Sequence, residues 1–238
     1  MTRLSCETNI LKLDLHYRVL RRIFTLRYLL LLLFCSCHPG LRNAQTEISP
    51  TYFEGEVIYD IKLEDKKHGI SFSQNARLIG IESTYLYKDG KYKAMTQGGM
   101  PIHQIYPGGD TLFTHLLSVD AILWTDVKEN NDAILETKLD EDVEEVNGVM
   151  CSLLTLSLES GSLQYYFSKL YPANPVLFEQ HKLNFWSFCT KETGALPLKI
   201  ITDTKSNYCE LTAKSILRRT ISDDEFNIPP FQRIEMND

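Results

Sequence analysis

The chain has 238 residues, 25 Lys and Arg against 31 Asp and Glu, and a formal charge of −6. That balance argues against a nucleic-acid partner, because phosphate neutralisation needs a basic face. The length suits one domain that buries a core without staples, and composition leaves the oligomeric state open.

The first element in chain order is the apolar run Tyr28–Cys37, which follows Arg18, Arg21, Arg22 and Arg27. Ten residues are too few to cross ~30 Å of hydrocarbon as a helix, but they suit the apolar centre of an export signal, roughly 7–15 residues long. Phe34-Cys35-Ser36-Cys37 reads as a lipobox-like motif, with Ser36 before the cleavage point and Cys37 as the residue that receives the lipid; Phe34 is bulkier than the usual leucine. Plain secretion by cleavage after Ala44, or a retained anchor, are the alternatives. Residues 1–37 are therefore read as the signal, 38–50 as a tether and 51–238 as a single β-rich domain. The implied partner is a membrane, held through an N-terminal lipid anchor on Cys37. The implied location is the cell envelope: the periplasmic face of a membrane, foremost the outer membrane, or the secreted state. Removing residues 1–36 takes six of the 25 Lys and Arg and two of the 31 Asp and Glu, leaving 19 against 29, or −10. No apolar run after Cys37 approaches the ~20 residues of a spanning helix.

From Tyr52 the pattern has period two: Phe53, Gly55, Val57, Tyr59, Ile61 and Leu63 alternate with more polar neighbours, as in a half-buried strand. Thr84–Tyr87 and Tyr92–Met95 flank Asp89-Gly90, a strong hairpin signal because its turn needs positive φ at both central residues. Ile102–Tyr106, Thr111–Thr114, Ala121–Asp126, Ala133–Leu139, Val149–Leu158, Ser162–Phe167, Leu196–Asp203 and Tyr208–Arg219 follow as strands, separated by Gly, Pro and Asn-Gly turns. Phe72–Leu78 is a short-helix candidate, and Pro175–Phe188, bounded by Pro172 and Gly194, a turn or short helix. So many strands in one antiparallel meander demand curvature, which hides edges and creates an apolar concave interior.

No catalytic, metal or cofactor site emerges. His68, His103, His115 and His181 lack a third ligand at a recognised spacing and read as surface or strand-edge residues. Asp140, Glu141, Asp142, Glu144 and Glu145 read as a solvated loop before a turn. Glu159-Ser160-Gly161-Ser162 lacks the first glycine of a nucleophile elbow and reads as a hairpin turn. Three cysteines fall in the domain; Cys189–Cys209 or Cys151–Cys209 are the possible bridges, with buried thiols as the alternative.

Several stretches resemble a family of Gram-negative envelope proteins whose fold is similar to the lipoprotein carriers LolA and LolB. They are Phe53–Ile61, Tyr87–Lys91, Asn147–Cys151, Gly194–Ile200 and Ile221–Pro229. The resemblance implies an incomplete, half β-barrel: a curved antiparallel sheet with one or two short helices against its concave face, a shape sometimes used to shelter acyl chains. No residue matches the arginine with which the carrier gates lipid binding, so carrier activity does not follow. Trp124, Phe113, Tyr165, Phe167, Phe185 and Trp186 are the expected lining of an apolar cavity, with Pro172–Phe188 as its lid. The function expected is non-enzymatic binding of an acyl chain, lipid or lipoprotein. The alternative is an envelope interaction module with a filled core.

Overall fold

The computed structural model describes residues 51–130 and 132–230; the signal, Cys37 and the tether lie outside them. The described chain is mostly β. Its strands are β1 (Gly55–Asp65), β2 (Glu82–Lys88), β3 (Lys91–Thr96), β4 (Ile102–Tyr106), β5 (Thr111–Leu116), β6 (Ala121–Asp126), β7 (Ile134–Val146), β8 (Val149–Leu158), β9 (Gly161–Pro172), β10 (Ala195–Thr204) and β11 (Asn207–Arg218). Two short helices, α1 (Phe72–Ile79) and α2 (Trp186–Thr193), complete it.

All eleven strands form one antiparallel sheet in the order β6-β5-β4-β3-β2-β1-β11-β10-β9-β8-β7. Laid flat, strands ~4.8 Å apart would hold the β6 and β7 edges ~48 Å from each other. Yet β6 and β7 are consecutive in the chain, and the link from Asp126 to Ile134 spans at most ~30 Å when fully extended. The sheet therefore curls into a trough, an incomplete barrel not closed by hydrogen bonds between its edges.

The turns follow their chemistry. Asp89 (φ 46°) and Gly90 (φ 73°), and Asn147 (φ 50°) and Gly148 (φ 75°), adopt the paired positive φ that matches the twist of their hairpins. At Gly90 a side chain is excluded as well, since a Cβ there would meet Leu177 Cβ at 2.3 Å. Helix α1 opens with a reciprocal cap between Ser71 and Gln74, and Asn75 donates to Leu63 O at 3.0 Å, fixing the helix at the end of β1.

Register separates the faces. Val57, Tyr85 and Ala94 share one cross-sheet row and Tyr87, Tyr92 and Tyr106 another, and all belong to the main core inside the trough. Leu86 and Ile105 point the other way and form a small outer cluster with Ile221 and Phe226. The segment carrying them is clamped there by Lys88 and Lys91 on Asp223 and by Lys93 on Glu225.

Two expectations are corrected, the acidic loop and the cysteine bridge. The acidic run Asp140–Glu145 is strand: it lies in β7, bulged between Asp140 and Glu144. An edge strand satisfies one row of backbone groups on β8 while its carboxylates stay in water, so charge does not exclude it. Past the bulge the hairpin leans over the outer face, where Glu144 accepts from Lys199 Nζ at 2.7 Å. Pro175–Phe188, expected as a turn or short helix, holds 3-10 turns at Pro175–Phe178 and Leu183–Phe185 and the start of the second helix at Trp186. No bridge joins Cys189 to Cys209 or Cys151 to Cys209, and all three sulfurs are buried. Cys189 belongs to the helix that runs into Ala195 at one end of β10, whereas Cys209 pairs with Thr202 near the other.

Candidate functional site

The concave face is where an apolar ligand was expected, and the connection between Pro172 and Ala195 occupies it. This segment leaves β9 and enters β10 at the same end of the trough, closed by Ala173 N–H donating to Gly194 O at 3.0 Å. It is drawn inward by Phe178, His181, Phe185, Trp186 and Cys189, all buried. The link between the sheet edges holds it down: Val127 O accepts from Lys182 N at 2.7 Å and Leu183 N at 2.9 Å.

Inside, rings meet rings. Trp186, fully buried, stacks on Tyr92 with centroids 4.4 Å apart and planes 8° from parallel. His181 packs 4.9 Å from Trp186 and 4.5 Å from Tyr106, and Phe178 lies 5.0 Å from Trp186. Phe167 and Tyr165 continue the wall at 6.1 Å. A cleft of about 20 Å³ between Phe53, Gly90, Asn174 and Leu177 has room for a water and far less than an acyl chain needs.

Polar groups in this interior are mostly matched. β10 is irregular around Pro197, which has no N–H to give the ladder. Tyr59 donates to Pro197 O and Tyr165 to Ala195 O, each at 2.7 Å, so two hydroxyls meet the carbonyls of that stretch. Burial pushes both phenols upward, Tyr59 and Tyr165 alike. His181 Nε2 shares a 3.1 Å hydrogen bond with the Tyr92 hydroxyl, and burial drives the imidazole down to about 3, so it is neutral. Among the described residues, His181 Nδ1 and Asn184 Nδ2 have no hydrogen-bond partner. Beside them the backbone is strained: Asn184 (φ 55°) and Phe185 (φ 65°) are successive left-handed residues, and a bulky aromatic rarely takes that conformation.

Of the six expected cavity residues, Tyr165, Phe167, Phe185 and Trp186 meet in this interior, as filling rather than as the wall of a void. Trp124 and Phe113 do not. They pair with each other across β5 and β6, and Phe113 pairs with Ile105, which places both on the outer face; Trp124 is 51% exposed. Alternation separates two faces without saying which becomes concave. His181, expected at the surface, is fully buried; its neighbours Phe178, Phe185 and Trp186, packed densely without strand alternation, were the available signal. The other histidines lie apart: His103 and His115 pair across β4 and β5, His115 Nε2 lies 2.9 Å from Asp120, and His68 Nδ1 lies 2.7 Å from Asp65. Among the described residues no three His, Cys, Asp or Glu side chains are grouped to hold a metal, and no helix is long and apolar enough to cross a membrane.

The class these features define is an open antiparallel sheet curled around its own connecting segment. No family model and no curated protein matches the chain.

Proposed function

We propose that this is an exported, non-enzymatic protein of the cell envelope, anchored by lipid on Cys37, that acts as an interaction module with a self-filled trough. The single observation that carries the reading is the Trp186–Tyr92 stack: the space an acyl chain would take is held by the chain's own buried rings. The resemblance to the LolA and LolB carriers then concerns shape, and shape alone does not transfer an activity. Partners meet the outside of the sheet, its edges and its rims.

Intact mass spectrometry of the full chain extracted from its native envelope tests this. The expected species begins at Cys37, carries the acyl mass of a lipoprotein and holds no further lipid. A stoichiometric non-covalent lipid would overturn the filled trough, and an unmodified Cys37 would overturn the anchor.

A second reading has one observation of its own. The consecutive left-handed residues Asn184 and Phe185 store strain that leaving the trough would relieve. On that reading an acyl chain replaces the segment, and the same spectrum finds it.

A further inference from the structure

Antiparallel register gathers several chain ends at one mouth of the trough. Gly55 pairs with both Tyr87 and Arg218, so the start of β1, the Asp89-Gly90 turn and the end of β11 lie together. Phe53 N–H donates to Pro172 O at 2.8 Å, which adds the end of β9 and the entry of the filling segment. The chain preceding Tyr52 therefore joins the domain at this mouth.

The rim of that mouth is apolar where water should be. Val176 is 73% exposed, Leu170 64%, Leu217 52% and Leu177 41%. Leu170, Val176 and Leu177 flank the Phe53 corner of the mouth, whereas Leu217 sits in the outer-face row of Glu56 and Leu86. Leu177 packs on Gly90, and Tyr52 and Phe53 line the same cleft; Phe53 and Tyr171 meet at 5.6 Å, with the Arg218 guanidinium over both rings. Arg218 in turn donates to Leu170 O at 2.6 Å. Leu170 is pushed outward by the sheet itself, because β9 carries more residues than β10 between the Phe167–Pro197 and Pro172–Ala195 pairs. Two cations sit among these aliphatics, Arg218 and Lys169. Each is held by a backbone carbonyl and aromatic faces, and among the described residues neither is paired with a carboxylate.

We infer that this rim, Leu170, Val176 and Leu177 with Arg218 and Lys169, docks on the surface of the bilayer that carries the anchor. The inference rests on the lipid-anchor reading of Cys37. The thirteen residues 38–50 reach at most ~45 Å, and they arrive at the rim's end of the domain rather than at the end carrying α1. Exposed aliphatics with flanking cations are the composition that settles into a headgroup layer, the chains below it and the charges at its phosphates. Side chains already outside water's preference, at the point where the tether enters, make a lipid surface the occupant that fits.

The test uses the full chain reconstituted in vesicles of phosphatidylethanolamine and phosphatidylglycerol. A nitroxide is attached to a cysteine introduced by Val176→Cys, Leu170→Cys or, at the opposite end, Ile81→Cys. Ile81 is also exposed; the buried Cys151, Cys189 and Cys209 stay out of the reagent's reach, on the anchor reading Cys6 and Cys35 leave with the signal, and a second label on an unacylated Cys37 is counted by mass. Labels at 176 and 170 are expected to become several-fold less accessible to a water-soluble nickel chelate and more accessible to oxygen, while the label at 81 does not change. Equal nickel accessibility at all three sites overturns the proposal, and so does spin–spin broadening at 176, which would seat a second copy on the rim. Mass spectrometry of the same sample keeps the two readings apart: acylated protein with an unprotected rim rejects docking alone, and unacylated protein with a protected rim rejects the anchor alone.

Discussion

The indole of Trp186 lies flat against the phenol ring of Tyr92, 4.4 Å between centroids, and so joins the connection between β9 and β10 to the opposite wall of the trough. It is the largest fully buried side chain of the described residues, and its removal would leave a hole lined by aromatic rings that cannot collapse. Trp186→Ala should cost about 3–5 kcal/mol of stability, and Trp186→Phe less. A urea midpoint unchanged in Trp186→Ala would mean that the segment does not occupy the trough in solution.

The hydroxyls of Tyr59 and Tyr165 accompany the irregular path of β10 by meeting Pro197 O and Ala195 O. Tyr59→Phe and Tyr165→Phe each keep the ring and leave a buried carbonyl short of a donor, a loss of ~1–3 kcal/mol. Equilibrium unfolding reads the cost directly; two neutral substitutions would show that water serves these carbonyls instead.

Asn184 combines a left-handed backbone with a buried amide nitrogen that lacks an acceptor among the described residues. Glycine removes both penalties and alanine only the second, so Asn184→Gly should be more stable than Asn184→Ala by about 1 kcal/mol. Thermal unfolding of the pair decides it. The reverse order would place the segment in another conformation.

Burial pushes the His181 imidazole from 6.5 to about 3. The unfolded chain therefore binds a proton near pH 6.5 that the folded chain refuses until about 3. Stability from this residue is complete above the unfolded value and is lost as pH falls toward the folded one, by ~1.4 kcal/mol per pH unit. Urea midpoints of the natural protein and His181→Gln at pH 7 and 5 should converge or cross as pH drops. Parallel pH profiles would falsify the neutral buried imidazole.

Much of the fold was legible in the residues. Strict alternation from Phe53 to Leu63 marked β1, and Asp89-Gly90 and Asn147-Gly148 marked their hairpins, because local backbone sterics settle where a chain alternates and where it must turn. The acidic half of β7 was illegible for a plain reason: an edge strand has no buried face to advertise, and only pairing with β8 makes it a strand. Trp124 and Phe113 looked the same as Tyr165 and Phe167 in sequence, yet the two pairs lie on opposite faces of the sheet.

By itself, then, the order of residues determined an antiparallel meander, its turns and the need to curl, since these depend on period-two patterning and on positive φ within a few positions. Tertiary structure alone decided which face became concave, that Trp186 and His181 fill it, that no bridge joins Cys209 to Cys189, and that Leu177 meets Tyr52 and Phe53 at one cleft. Those outcomes depend on contacts between strands distant in the chain, whose free energy is set only when the open sheet has curled around its own connection.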